Sequence, residues 1–267
     1  MTRRPDITYG ALFAFSGQIF LIFAQYGWDR LYLILPATLA LRAVCALAYS
    51  LLTAGAIAHY VMRPLHGHSP NAVIVASLGL LILLSESTRL AMDSHAIWLP
   101  PFLNQRIVLL SAGQGQVALT TIQLGNAALM ALVVAVGHGV LAGTGAGRIW
   151  RAVCDDPTAA QLCGANAGAV FTLSCLAAAL IACICGVLAT AYYGTMDFGS
   201  GLMFGLKVVL LAAVGGQSEP LRSALGAALY GLAEALWGAY LPLAWREMAL
   251  FAGLVLLAVV FRREARI

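Results

Sequence analysis

Ala169-Val-Phe-Thr-Leu-Ser-Cys-Leu-Ala-Ala-Ala-Leu-Ile-Ala-Cys-Ile-Cys-Gly-Val-Leu-Ala-Thr-Ala-Tyr-Tyr193 contains no charged side chain. About 20 mostly apolar residues in a helix cross the hydrocarbon core of a bilayer, so this run reads as a transmembrane helix. Comparable runs lie at 7–28, 31–62, 71–91, 117–142, 200–216, 223–241 and 246–261. The second is long for one crossing, so it is expected to tilt or to extend into the cytoplasm. The sixth is short and contains Lys207, which suggests a broken or partly inserted helix.

Composition agrees with these runs. Of 267 residues, 61% are apolar and 10% are charged, against about 25% charged in an ordinary soluble domain. A water-soluble globule with this makeup would expose apolar surface it has no polar residues to cover. Cytoplasmic enzymes, nucleic-acid modules and disordered chains are therefore excluded. Eight spans would use about 160 residues, and the remainder is too short for a second folded domain of about 100–150. The expected fold is all-α: a polytopic transmembrane bundle of about eight spans forming one membrane domain over 1–267.

The net charge of +4 is a topology signal and not a sign of nucleic-acid binding. The N-terminus, 63–70, 143–168, 217–222 and the C-terminus together hold Arg3, Arg4, Arg63, Arg148, Arg151, Arg222, Arg262, Arg263 and Arg266. The opposite loops hold Arg30, Arg89, Arg106 and Arg246. The richer side is expected to be cytoplasmic, with both termini on it. Four of the six cysteines (Cys45, Cys154, Cys163, Cys175, Cys183, Cys185) lie inside apolar runs, so no disulfide framework is expected. The polar N-terminus does not read as a cleaved signal peptide. The long loop 92–116, with Trp98, Pro100, Pro101 and Ile107-Val-Leu-Leu110, reads as a small hairpin, an interfacial element or a plain connection.

Catalytic signatures are missing. Lys207 is the only lysine, so no phosphate-binding loop with its required lysine exists. There is no His-Glu-x-x-His, no Gly-x-Ser-x-Gly elbow and no pair of aspartates within one span. His66-Gly-His68 is a weak metal signal. Ionisable residues at membrane depth are costly and face protein or water. Those here are Arg42, Lys207, Glu234, and the pair Glu86 and Arg89, three apart on one helical face. Lys207 and Glu234 read either as a polar point beside a substrate path or as a fixed joint between helices. Glycine and alanine along 223–241 (Gly226, Gly231, Gly238) give that helix small faces for close packing.

The loop 143–168 carries the most information. It enters through Gly143-Thr-Gly-Ala-Gly147, runs through Arg148 and Arg151, and reaches Asp155-Asp156-Pro157. Aspartate before proline starts a helix. Thr158 to Cys163 can form a short one, and Gly164 can stop it.

This stretch, Gly147-Arg148-x-x-Arg151-Ala152-x-x-x-Asp156-x-x-Ala159-Ala160-x-Leu162-x-Gly164, resembles the cytoplasmic loop of LivH-type permeases, the membrane subunits of branched-chain amino acid ABC importers. The likeness continues through Tyr60-Val-Met-Arg63-Pro64-Leu65, Tyr193-Gly194, Gly205-Leu206-Lys207, Ala212-Ala213-Val214-Gly215-Gly216, Gly226, Gly231, Glu234 and Tyr240-Leu241, about residues 60–262 in order. It implies that the loop bears a coupling helix docking on an ATPase through Arg148, Arg151, Asp155, Asp156, Ala159, Ala160, Leu162 and Gly164. It implies pathway or structural roles for Tyr9, Arg42, Lys207, Gly215, Gly216 and Glu234. The implied partners are a second permease subunit, two cytoplasmic ABC ATPases that bind ATP and Mg, a periplasmic or extracellular substrate-binding protein, and membrane lipid. The chain itself would bind no cofactor and work in a bacterial inner membrane. Branched-chain amino acids lead as substrates, with urea and short amides open. A secondary transporter driven by an ion gradient and an inactive membrane scaffold are the alternatives. The sequence departs from the family's pattern in three places. The family has another apolar helix before the stretch matching Asp6-Ile-Thr-Tyr-Gly10-Ala-Leu-Phe13. Asp6 and Tyr9 stand where it has Asn and His. Ser218, Glu219 and Arg222 follow Gly215-Gly216 in place of small residues.

Overall fold

A computed structural model describes residues 6–29, 35–65, 70–95, 97–100, 105–112, 115–215 and 220–264. It is almost entirely helical. The helices are α1 (Thr8–Asp29), α2 (Leu35–Ala56), α3 (Arg63–Leu65), α4 (Pro70–Ala91), α5 (Thr121–Gly143), α6 (Gly145–Asp155), α7 (Pro157–Leu162), α8 (Ala167–Tyr193), α9 (Ser200–Gly215), α10 (Pro220–Tyr240) and α11 (Arg246–Glu264). Among the described residues, five segments are long and apolar enough to cross a membrane: Thr8–Gly27, Thr38–Leu65, Asn71–Ala91, Thr121–Gly143 and Ala167–Tyr193. This is a polytopic helical membrane protein. Chain contacts divide it into two compact units, Met1–Met203 and Phe204–Ile267.

Within the first unit α1 is the central helix, packed by α8, α2 and α4. It is apolar around nearly its whole circumference, the pattern of a helix buried on all sides. Leu12, Phe15 and Phe20 of α1 join Ala46 and Ala54 of α2, Leu81 and Leu84 of α4, and Ala179, Cys183 and Val187 of α8 in one core. Two glycines set how closely α1 and α8 approach. A Cβ at Gly186 would collide with the Phe13 carbonyl and the Ser16 hydroxyl, and one at Gly17 with the Thr190 hydroxyl. With both side chains absent, Ser16 Oγ donates across the seam to the Cys183 carbonyl at 3.1 Å. Such small-residue seams hold helices together in lipid, where no hydrophobic force favours one apolar surface over another.

Four sequence expectations are resolved or corrected here. The long second run is one continuous span through Leu65, with a π-helical stretch at Ile57–Met62; the i→i+5 bonding there widens the helix locally without ending it. The loop 92–116 contains a hairpin strand: β1 (Arg106–Ala112) pairs antiparallel with β2 (Gly115–Thr120), from Arg106 opposite Thr120 to Ala112 opposite Gly115, with an irregularity between Val108 and Leu110. The run expected as helix from 117 is therefore strand through Thr120. Its β-branched and apolar residues suit either form, and the Gln123 side chain, accepting from Thr120 N at 3.0 Å, fixes where the helix starts. The short sixth run is a single unbroken helix of 16 residues.

α5 has no buried residue. Three polar or sulfur contacts tie one edge of it to α8: Gln123 Nε2 to Tyr192 Oη at 2.9 Å, Asn126 Nδ2 to the Leu188 carbonyl at 3.4 Å, and Cys185 Sγ to Met130 Sδ at 3.7 Å. None of the six cysteines, all among the described residues, is in a disulfide.

Candidate functional site

The segment from Thr144 to Asn166 is built by successive caps. Thr144 Oγ1 accepts from Gly147 N at 3.3 Å and opens α6. At Gly147 only a hydrogen fits, because a Cβ would strike the Leu141 backbone where α6 folds back on the end of α5. The basic stretch, which the sequence places within a loop, is therefore a helix in its own right. It buries Gly147 and Val153 and exposes Arg148 and Arg151. Arg151 Nε donates to the Gly147 carbonyl at 3.3 Å, one turn back.

Asp156 then serves two helices at once. Its backbone N donates to the Ala152 carbonyl at 3.1 Å, closing α6 at Asp155. Its carboxylate Oδ1 accepts from Thr158 N at 2.8 Å and Ala159 N at 3.1 Å, opening α7, with Pro157 in the first helical position. Proline loses nothing there, since its absent N–H would have had no partner. The short helix was expected through Cys163 and ends at Leu162. Gly164, at φ +88°, lets Ala165 N donate back to the Ala160 carbonyl at 3.0 Å. Asn166 Oδ1 then accepts from Ala169 N at 3.0 Å and starts α8. Ala160 is buried, whereas Asp155, Asp156, Ala159 and Gly164 are exposed, and Leu162 is 88% exposed. Behind it lies a cleft of about 250 Å³ lined by Arg63, Val153, Gln161 and Phe171.

The polar residues inside the apolar helices fall into separate groups. In the first unit, Arg42 of α2 is buried with its guanidinium 4.6 Å from the Phe20 ring centre of α1, within cation–π range. Tyr9 is half-buried against the core and meets the Cys175 thiol of α8. Arg89 holds Glu86 through Nε at 2.9 Å and a second guanidinium nitrogen at 2.5 Å, the pairing their spacing predicts. In the second unit Lys207 of α9 reaches Glu234 of α10 at 3.2 Å and Glu247 of α11 at 3.1 Å. Arg246 contacts the same carboxylates, at 3.9 Å and 3.2 Å. Two positive and two negative groups thus balance across three helices, a joint in which Glu247 and Arg246 are members that sequence reading missed. Gly215 is the last residue of α9, and Gly216, Ser218 and Glu219 lie outside the described residues. Among the described residues no group of three His, Cys, Asp or Glu could hold a metal ion.

Sequence reading also passed over Gln18, Thr88, Ser16 and Thr190, all buried. An isolated glutamine midway along an otherwise apolar run was the available signal.

A family model described as "Branched-chain amino acid transport system / permease component" matches residues 1–260. The chain belongs to this permease family. Similar relatives are the high-affinity branched-chain amino acid transport system permease proteins LivH of Escherichia coli strain K12 and of Salmonella typhimurium. Each is 27% identical over 239 residues, covering 88% of this chain and 75% of the relative. BraD of Pseudomonas aeruginosa is 25% identical over 241 residues, covering 90% of this chain and 77% of that protein. No solved structure matches the chain. As a permease component it is a transport subunit and not an enzyme, and transport is the frame in which its capped α6–α7 segment and its buried polar groups are to be read.

Proposed function

We propose that this permease is the membrane subunit of an ATP-driven importer of branched-chain amino acids, resident in a bacterial inner membrane. Family membership across residues 1–260 is the observation that carries the reading. The α6–α7 segment fits the role of coupling element: Asp156 rigidifies it, Leu162 and Ala159 stand proud of it, and Arg148 and Arg151 flank it. In this reading two ABC ATPases, each holding ATP and Mg, grip that surface. A second permease subunit completes the pathway, and a soluble binding protein delivers the solute on the far face. About eight spans form one permease domain with both termini cytoplasmic, as the arginine distribution favours. ATP-driven closure of the ATPases pushes α7, and the push rocks the helices between inward-open and outward-open arrangements.

The test is capture from native membranes. A C-terminally tagged chain is solubilised in mild detergent, and co-purifying proteins are identified by mass spectrometry. The control replaces 155–163 with a Gly/Ser linker. Two ATPases and a second permease should come down with the intact chain, and the control should lose the ATPases. Capture of no ATPase by the intact chain would refute the importer mechanism and leave ion-gradient transport as the better reading. Uptake of labelled leucine against urea in the same cells tests the substrate.

A further inference from the structure

Gln18 stands near the middle of α1, the central helix of the first unit, and is completely buried. One amide atom, Oε1, meets the Thr88 hydroxyl of α4. The other, Nε2, has no hydrogen-bond partner among the described residues. A buried amide donor left unpaired at membrane depth is expensive, and structures retain such groups where they have work to do. The Thr88 hydroxyl, which has one proton to give, also lies 3.0 Å from the Ser85 carbonyl and 3.2 Å from the Leu84 carbonyl of its own helix. Pairing with Thr88 uses the Gln18 oxygen and leaves the Nε2 donor unexplained.

Gln18 also lines a small cavity. The other walls include Ala11 and Phe15 of α1, Leu81 and Ser85 of α4, Phe198, and Gly201 of α9. The cavity holds about 10 Å³, room for about one water molecule, so a larger solute enters only if the helices part. Its walls are short or apolar, and Gln18 supplies one hydrogen-bond donor at mid-depth. That combination matches a small solute with an aliphatic side chain and an acceptor oxygen.

We infer that this cavity is the closed form of a solute-binding point on the transport path, and that the Gln18 amide binds the carboxylate of an aliphatic amino acid there. The inference rests on the importer reading above. Transport sites near the membrane midplane commonly combine apolar walls with a few fixed polar groups.

The experiment compares uptake of labelled leucine by cells carrying wild-type chain, Gln18→Leu, Gln18→Met and Gln18→Asn in the assembled transporter. Each variant is matched for membrane level, thermal stability and partner capture. Leucine and methionine fill the same volume and remove the unpaired donor, so a merely structural glutamine predicts unchanged uptake and equal or higher stability. A solute contact predicts uptake at least about tenfold lower in Gln18→Leu, with partner capture unchanged and part of the activity retained in Gln18→Asn. If Gln18→Leu lowers the amount of folded chain, Gln18→Met supplies the comparison. Uptake within twofold of wild type in either apolar variant overturns the inference and leaves the importer reading intact. A wild-type chain that takes up no leucine overturns both, a result distinct from the first because it appears without any substitution.

Discussion

Replacing Gly186 by alanine tests the α1–α8 seam on which the first unit is built. The new methyl group would meet the Phe13 backbone carbonyl and the Ser16 hydroxyl. A backbone obstacle cannot rotate away, so the helices must separate. Overpacking of this kind costs about 1–3 kcal/mol. Separation also breaks the 3.1 Å hydrogen bond from Ser16 to Cys183, worth about 0.6–1.7 kcal/mol between helices in a membrane. Against this, alanine is favoured over glycine in a helix interior by about 1 kcal/mol. The net expectation is a loss of about 1–4 kcal/mol, or roughly 3–15 °C in melting temperature for a chain of this size. Far-UV circular dichroism of purified protein in detergent reads it directly. Gly79→Ala is the matched control, because nothing lies within 4 Å of a Cβ there. It carries the same helix gain without the collision and should melt at or slightly above the wild-type temperature. If Gly186→Ala melts with or above Gly79→Ala, the close-seam reasoning is wrong.

Three further outcomes follow from the geometry. Asp156→Ala removes the acceptor for Thr158 N and Ala159 N; it should cost on the order of 1 kcal/mol of local helix stability and reduce ATPase capture, and unchanged capture and transport would refute the role. Leu162→Asp changes a side chain that is 88% exposed; thermal stability should stay within about 0.5 kcal/mol of wild type while co-purification of ATPases falls severalfold. Lys207→Met leaves Glu234 and Glu247 to share Arg246 alone; the partly exposed joint should lose about 1–3 kcal/mol, and Glu247→Gln added to it should restore part, a coupling that a double-mutant thermal cycle measures.

Fold class could be read from the sequence because apolar runs of membrane length admit few other interpretations. The cap at Asp156-Pro157 and the stop at Gly164 were equally plain, because each rests on a local rule about one backbone position. Other features depended on contacts distant in sequence. Nothing in Gly145–Asp155 alone shows that Gly147 lets α6 fold back on Leu141, and so that stretch looked like a loop. Val117–Thr120 looked helical until its pairing with Arg106–Leu110 was known. Lys207 and Glu234 were visible as costly charges, but Glu247, 40 residues from Lys207, is placed beside it only by tertiary structure. Gln18 was hidden for a different reason. A single uncharged polar residue barely changes the hydropathy of a span, and only burial without a full set of partners marks it.

The shared residue between α6 and α7 has a mechanical meaning. A linker of several free residues between two rods absorbs the first part of any stroke before the second rod moves. Asp156 leaves no such play, since one residue ends the first helix and begins the second. On the far side Cys163 to Asn166 connect α7 to α8, tied by the bond from Ala165 N to the Ala160 carbonyl and by the Asn166 cap. In the proposed coupling role, displacement of α7 would pass through this connection to α8, a 27-residue helix lying against the central helix. In that reading, one glycine inserted between Asp155 and Asp156 would give the train backlash, so that ATP hydrolysis by the partner ATPases would continue with less motion delivered to α8.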